Sequence, residues 1–261
     1  EYQQLFSIIF IFIMKIKNIF MASILVRAFL VNSFGVVKEK ENKTYGMLNL
    51  EYMMPKIGME KAFVKAITEH NNLYHKAGPY EAHLDNILTG EESGWYVWYM
   101  GPNMYSDLDN SPGEGAHSEH WTKNVTPTVA KYGRSEFWKY NEKLSYRSNN
   151  ESNKYETIWM LDIKRGDYYR FKAFMTKVKE AFEKKGEGNV HIYENEFNEG
   201  NGRDVVIVWP FKNWAELDKE DEGIKKTYEE INGNGSWDNG MDEWEEFTES
   251  MTSQVWETDI K

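Results

Sequence analysis

Cysteine is absent from the 261-residue chain. This absence excludes disulfide bonds, zinc sites built on thiolates and cysteine nucleophiles. The chain also lacks a surplus of basic residues, because residues 42–261 hold 26 Lys and Arg against 39 Asp and Glu. Nucleic-acid binding needs cations that neutralise phosphates, and adhesion to an anionic membrane surface needs the same charges. We therefore expect no nucleic-acid partner and no adhesion to membranes through charge.

Several enzyme motifs are missing as well. The chain contains no Gly-x-Ser-x-Gly elbow and no His-Glu-x-x-His sequence, which are the marks of common hydrolases and metalloproteases. Glycine-rich runs at 200–202 and 233–235 lack the Walker spacing and do not lead from a strand into a helix. We interpret both runs as turns, so no phosphate-binding loop is expected.

A long apolar run occurs near the N-terminus. It follows two lysines in MKIKNIFMASILVRAFLVNSFG, which begins at Met14, and it ends near the small residues Ser33 and Gly35. That order is typical of a secretory signal peptide. We expect residues 1–41 to be upstream sequence plus this signal, and the mature protein to be periplasmic or secreted. The alternative is a membrane anchor, but Arg27 and the two lysines interrupt a full span.

The segment 53–102 is repeated at 161–210. Four pairs of identical residues are each 108 positions apart: Gly58 and Gly166, Phe63 and Phe171, His83 and His191, Pro102 and Pro210. Such agreement at one offset predicts an internal duplication. We therefore expect two similar domains, at 44–148 and 154–261, joined by a linker at 149–153; about 110 residues is an ordinary domain size.

Hydrophobic periodicity gives both copies the same order of elements. In the first copy we predict strands at 45–54, 80–88, 95–100 and 136–147, with a helix at 59–77 and a partly helical segment at 117–132. In the second copy we predict strands at 157–163, 190–197, 205–209 and 254–260. Helices are expected there at 167–185, 213–232 and 241–250, with a Gly/Asn loop before the last of them. Each copy is thus an α+β unit with the ferredoxin-like βαββαβ order.

This duplicated pattern resembles the dimeric α/β-barrel superfamily, which includes antibiotic-biosynthesis monooxygenase, EthD and NIPSNAP-type domains. The resemblance covers roughly residues 44–261 and rests on the order of elements and on the repeat. It implies tandem ferredoxin-like repeats that form a pseudo-dimeric α/β barrel. Members of this superfamily often bind small apolar or aromatic molecules, and some oxidise them without a cofactor. The fold alone does not assign a reaction.

Polar residues on the predicted strands are the candidates for chemistry. Alternation places His83 and Asp85 on one face of a strand, where the carboxylate could orient the imidazole as a general base. His191 is the repeat partner of His83 and is predicted to face the same cavity. The alternative is that both are ordinary structural histidines. The ligand-binding candidates are predicted to lie on the strand face away from the helices or on the matched third strands. They are Asn49, Glu51, Trp95, Trp98, Tyr99, Asp162, Tyr193 and Trp209.

Four further histidines lie in the first copy. His117 and His120 have a spacing that suits one helical face, and with Glu114 or Glu119 they could hold a metal. Because this motif has no counterpart in the second copy, we expect it to be solvent-exposed. His70 and His75 are five positions apart and are predicted to be surface or helix-end groups. The second copy offers only one histidine as a haem ligand, and this histidine lies on a predicted strand. We therefore predict neither a cofactor nor a metal.

We therefore predict an exported barrel that binds a small apolar or aromatic molecule in a ring-lined cavity. Any catalysis would be acid/base chemistry or cofactor-free oxygenation. The alternative is a non-enzymatic interaction module that uses its acidic helices. A cavity with converging polar groups would support the first class, and a solid core of rings the second. A homodimer is compatible with either class.

Overall fold

The computed structural model describes residues 45–148, 153–197, 202–218 and 223–261. The predicted signal segment at 1–41 and most of the linker at 149–153 lie outside the described residues. Export and the start at Met14 therefore stay predictions. No helix in the described ranges is long and apolar enough to cross a membrane.

Nine strands and six α-helices are found in the described residues. The strands are β1 (Met47–Pro55), β2 (Ala82–Ile87), β3 (Tyr96–Asn103), β4 (Val129–Tyr140), β5 (Tyr146–Arg147), β6 (Tyr155–Ile163), β7 (Asn189–Asn195), β8 (Val205–Phe211) and β9 (Thr248–Glu257). The helices are α1 (Glu60–Tyr74), α2 (Tyr105–Leu108), α3 (Ala116–His120), α4 (Tyr168–Lys185), α5 (Lys225–Asn232) and α6 (Ser236–Phe247).

Eight of the strands close into a barrel. The strand order is β4-β1-β3-β2-β9-β6-β8-β7, and β7 pairs back onto β4, while β5 adds to the outside of β7. Within each half this is the order fourth-first-third-second, which is the ferredoxin-like sheet. All pairings are antiparallel, and β2–β9 and β4–β7 join the two halves. The predicted fused barrel is confirmed.

The repeat offset of 108 positions holds for whole elements. Adding 108 to the bounds of β1 gives those of β6, and the first residue of α1 corresponds to the first residue of α4. Each long helix packs an apolar stripe at three-and-four spacing onto its sheet. In α4 this stripe is Phe171, Phe174, Met175, Val178 and Ala181. The duplication is therefore visible in strand register and in helix packing.

Buried apolar residues form three clusters. Two of them lie between a sheet and its helices, one in each half. The third lies inside the barrel and draws on both halves, with Leu50, Tyr52, Ile158, Val206 and Trp256 among its members. Both faces of most strands are thus covered by protein.

Several predicted elements differ from the structure. Of the helix predicted at 213–232, the described residues show a 3-10 turn at Trp214–Glu216 and α5, and the last strand begins at Thr248 rather than at 254. The strand predicted at 136–147 begins earlier, at Val129, and a turn after Tyr140 separates it from the short β5. The Gly/Asn loop predicted before 241 is partly helical, because α6 begins at Ser236. There Gly240 allows α6 to lie close to α4, since a Cβ at this position would be 2.8 Å from the ring of Phe174. Tertiary packing outweighs the low helix propensity of glycine.

A buried ion pair joins the two halves inside the barrel. The Arg203 guanidinium, from the second half, donates to both carboxylate oxygens of Glu136 on β4, at 2.7 and 2.9 Å. It also donates to the Tyr52 hydroxyl on β1 at 2.7 Å. Glu136 is 7% exposed and Arg203 is 6% exposed. Each of the two charges is therefore stabilised by the other and not by water.

We expect Glu136→Gln to destabilise the protein by about 3–5 kcal/mol, because it leaves the Arg203 charge buried without its carboxylate. Urea unfolding followed by circular dichroism measures this change. The matched control is Glu230→Gln, which removes an exposed ion pair with Lys184 and should cost about 0–1 kcal/mol. Equal losses in the two variants would show that the interior pair has no special role.

Candidate functional site

The inside of the barrel contains a cavity of about 300 Å³. All eight barrel strands contribute side chains to its wall. Much of the wall is apolar and includes Leu48, Leu50, Ile158, Val206 and Trp256. Among these apolar side chains, polar groups from both halves face the same space, so the cavity has the shape and the lining that are typical of ligand-binding sites.

Two carboxyl groups face this cavity. Asp85 on β2 is 3% exposed; its burial, together with the nearby Glu156 charge, raises its pKa well above the ordinary value. One carboxylate oxygen of Asp85 accepts the backbone N–H of Asp259 at 2.8 Å. Burial also raises the pKa of Glu156 on β6 to about 7, although Arg147 opposes the shift. Burial therefore favours the protonated form of both carboxyl groups.

Three other polar side chains of the cavity, His191, Tyr99 and Tyr193, carry no charge at neutral pH. Burial, aided by the Arg147 charge, lowers the pKa of His191 to about 4. The Tyr140 hydroxyl lies 3.4 Å from its Nδ1 atom. Burial raises the phenol pKa values of Tyr99 and Tyr193. These side chains can therefore exchange protons with a ligand, and each of them is uncharged before the exchange.

His83 lines the cavity as predicted, but its carboxylate partner is not Asp85. Its Nδ1 atom lies 3.3 Å from a carboxylate oxygen of Asp259, and its Nε2 atom lies 3.9 Å from Glu81. The ring stacks on Tyr99, with 5.2 Å between the centroids. The sequence could not predict Asp259, which is 176 positions away and reaches His83 only because β9 pairs with β2.

The placement predicted for Asn49 and Glu51 is wrong. Both lie on the helix side of β1, beside a second cavity between the sheet and α3, whereas the barrel side of β1 carries Leu48, Leu50 and Tyr52. Both faces of this strand are covered by protein, so hydrophobic alternation does not say which face points inward. Glu51 instead accepts a hydrogen bond from the Ser135 hydroxyl.

The predicted wall of rings is only partly present. Tyr99 and Tyr193 line the barrel cavity, but Trp98 packs on the helix side of the first sheet, and Trp209 packs against Trp159 and Phe182. Trp95 packs against the cluster inside the barrel without lining the cavity. Asp162 shares the inward parity but lies at the end of β6, near Gly202 and Asp204.

Glu156 and Arg147 line the cavity but are not among the residues predicted from the sequence. The repeat conceals Glu156, because its counterpart 108 positions earlier is the apolar Leu48. Its signal was an acidic residue at the start of the apolar and aromatic strand β6, which also contains Asp162. Arg147 is exposed at the edge of the cavity and follows a turn that the sequence did not reveal.

A separate polar cluster lies outside the barrel. His70 is 0% exposed and His75 is 3% exposed, so neither is a surface group, although His75 does lie at the end of α1. They contact His117 and His120 of α3, which are themselves partly buried rather than solvent-exposed. Burial, together with the neighbouring imidazoles, lowers the pKa of His70 to about 3. These rings come together because α3 packs on α1. The spacing of the histidines within each segment does not predict this contact.

Comparison with solved structures finds the same fold in bacterial proteins. A predicted monooxygenase of Lactobacillus acidophilus NCFM matches with a TM-score of 0.53 and 12% identity, over 83% of this chain and 95% of its own. A predicted monooxygenase of Fusobacterium nucleatum subsp. nucleatum ATCC 25586 matches with a TM-score of 0.51 and 13% identity, over 84% and 94%. The sequence matches no protein-family model and no curated protein. The likeness shows the fold: the chain has the dimeric α/β-barrel fold, with both halves in one polypeptide.

The raised pKa of Glu156 makes stability depend on pH. The native state holds this proton up to about pH 7, whereas the unfolded chain releases it near 4.5. Stability therefore falls as pH rises between these values, by up to about 3 kcal/mol, and this group adds no further change above them.

We expect Glu156→Gln to abolish this part of the pH dependence. The variant should be more stable than the wild type at pH 8 and similar to it at pH 4.5, as measured by urea unfolding. Glu180→Gln, at an exposed position on α4, should keep the wild-type pH dependence. Parallel curves for the wild type and Glu156→Gln would contradict the assignment.

Proposed function

We propose that the protein binds a small neutral organic molecule, apolar or aromatic, in the barrel cavity and transfers protons to and from it. Oxygenation is the reaction that we would test first. The observation that carries the proposal is the convergence of Asp85, Glu156 and His191, from both halves, on one cavity with apolar walls.

The state of the polar groups supports a neutral ligand. An ion that entered the cavity would lose its hydration and would need an opposite charge to replace it. The inner cation, Arg203, is already paired with Glu136, and burial favours the protonated, uncharged form of the Asp85 carboxyl. A hydroxyl or carbonyl group, in contrast, can exchange hydrogen bonds with these side chains at little cost.

The same groups are suited to proton transfer. His191 is neutral at pH 7 and can accept a hydrogen bond from a ligand, and the protonated form of Asp85 can donate one. Glu156, with a pKa of about 7, can accept or donate a proton, because a general acid or base works best when its pKa is near the operating pH. These properties support acid/base chemistry on a ligand held between β2, β6 and β7.

Oxygenation fits this arrangement when the ligand has an acidic C–H bond. A base in the cavity takes the first proton, and the carbanion then reacts with O₂. A methylene group and O₂ give a carbonyl group and water, so atoms and electrons balance with O₂ as the oxidant. Two proteins with this fold are predicted monooxygenases, which supports testing this reaction before others.

We expect the wild type to bind 1-naphthol and Ile158→Phe to bind it at least about tenfold more weakly, because the larger ring fills the cavity. A fluorescence titration measures both affinities, and circular dichroism checks the fold. The matched control is Ile57→Phe, at a residue that is 98% exposed, and it should bind as the wild type does. Equal affinity in Ile158→Phe, or no binding by the wild type, would contradict a ligand inside the barrel.

Replacement of both His83 and His191 by Ala should abolish oxygen uptake with anthrone, whose methylene protons are acidic, while the fold is retained. An oxygen electrode follows the reaction and urea unfolding follows stability. Lys184→Ala, at an exposed helix residue, serves as the control and should turn over at the wild-type rate. Unchanged uptake in the double variant would remove the catalytic role of both histidines.

A further inference from the structure

Three histidine nitrogens point toward one place outside the barrel. His70 lies on α1, His75 immediately follows α1, and His117 lies on α3. The Nε2 atom of His117 is 3.1 Å from Nε2 of His70 and 3.0 Å from Nε2 of His75. One ring nitrogen of each residue lies within 4.8 Å of the other two. The lone pairs of three side chains are thus brought to a common centre.

Hydrogen bonds among neutral rings do not account for this arrangement. The Nδ1 atom of His75 lies 2.9 Å from the backbone carbonyl of Tyr80, which only accepts, so Nδ1 carries the proton and Nε2 is a bare acceptor. His117 Nε2–H must then serve both His75 and His70. Because the one proton of the neutral His117 ring is then on Nε2, its Nδ1 atom is a buried acceptor with no partner among the described residues.

The requirements of the fold do not explain the histidines either. The repeat partner of His70, 108 positions later, is Val178, which is buried in the same place on α4. A valine therefore meets the packing needs of this helix position in the second half. Burying an imidazole there instead costs desolvation of a polar ring, which an interaction specific to the first half must offset.

We propose that Nε2 of His70, His75 and His117 bind one divalent transition-metal ion of the class Zn²⁺, Co²⁺, Ni²⁺ or Cu²⁺. Imidazole nitrogens suit these ions, whereas Mg²⁺ and Ca²⁺ require oxygen ligands. Nitrogens that share an ion at about 2.0–2.1 Å are about 2.9–3.4 Å apart, and the two separations of 3.0 and 3.1 Å fall in this range.

His120 is a positioning residue in this site. Its Nδ1 atom lies 3.1 Å from Nδ1 of His70, so it accepts the Nδ1–H of that ring and leaves Nε2 free to bind metal. The Tyr80 carbonyl does the same for His75. Such outer hydrogen bonds fix the tautomer and the ring orientation of ligating histidines.

The site has an open side. A second cavity of about 360 Å³ is lined by His75 and His117 together with Trp98, Trp121 and Glu51. Three protein ligands beside a cavity leave a coordination position for water or a small anion, as in catalytic rather than structural metal sites. This cavity lies on the helix side of the first sheet, so the proposed centre is separate from the barrel cavity.

The test is Co²⁺ binding by the tag-free protein after treatment with EDTA. We expect one ion per chain, with visible d–d absorption that azide changes at the open position. His70→Ala and His117→Ala should each weaken binding at least about 100-fold, and His120→Ala by about 10–100-fold. His83→Ala and His191→Ala, in the barrel, should bind Co²⁺ as the wild type does.

Circular dichroism of each variant, and His117→Gln as a second substitution, separate loss of the ligand from loss of the fold. The proposal is overturned if the wild type binds none of the four ions, or if His70→Ala and His117→Ala keep the wild-type affinity. It is equally overturned if the barrel variants lose Co²⁺ to the same extent. None of these results depends on the reaction proposed for the barrel.

Discussion

Closure of the barrel is the constraint on which the rest of this structure depends. Each ferredoxin-like sheet has two edge strands, and each edge is satisfied by hydrogen bonds to the other half, through β2–β9 and β4–β7. Closure removes exposed strand edges and gives the two sheets a common interior. The same pairing brings Arg203 to Glu136 and Asp259 to His83. The interior chemistry is thus a product of closure rather than of either half.

Much of the fold could be predicted from the sequence because the duplication supplies the same pattern twice. The offset of 108 fixed the order of the elements, and the helical stripes followed from apolar spacing. The faces of the strands could not be assigned in the same way. Both faces of β1 are buried, so Asn49 and Glu51 were placed on the wrong side, whereas His83 and His191 were placed correctly.

The candidate sites were harder to predict because their residues meet through tertiary contacts. The cavity carboxyl group of Glu156 has Leu48 as its repeat partner, so the comparison of the copies conceals it. The histidines of α1 and α3 are 42 to 50 positions apart and meet only because the helices pack. The helix layers of the two halves differ as well, because the second half fills its layer with Phe174, Tyr228 and Trp237.

The shared cavity wall has a consequence for how the protein unfolds. Because both halves supply the wall, an occupant contacts each of them and is released when either one separates from the barrel. The binding free energy of the occupant is therefore added to the free energy that holds the two halves together. A loaded barrel should unfold as one cooperative unit even under conditions in which the empty halves separate stepwise. In the fused duplication, a ligand bound in the barrel would thus add to the interactions that hold the two copies together.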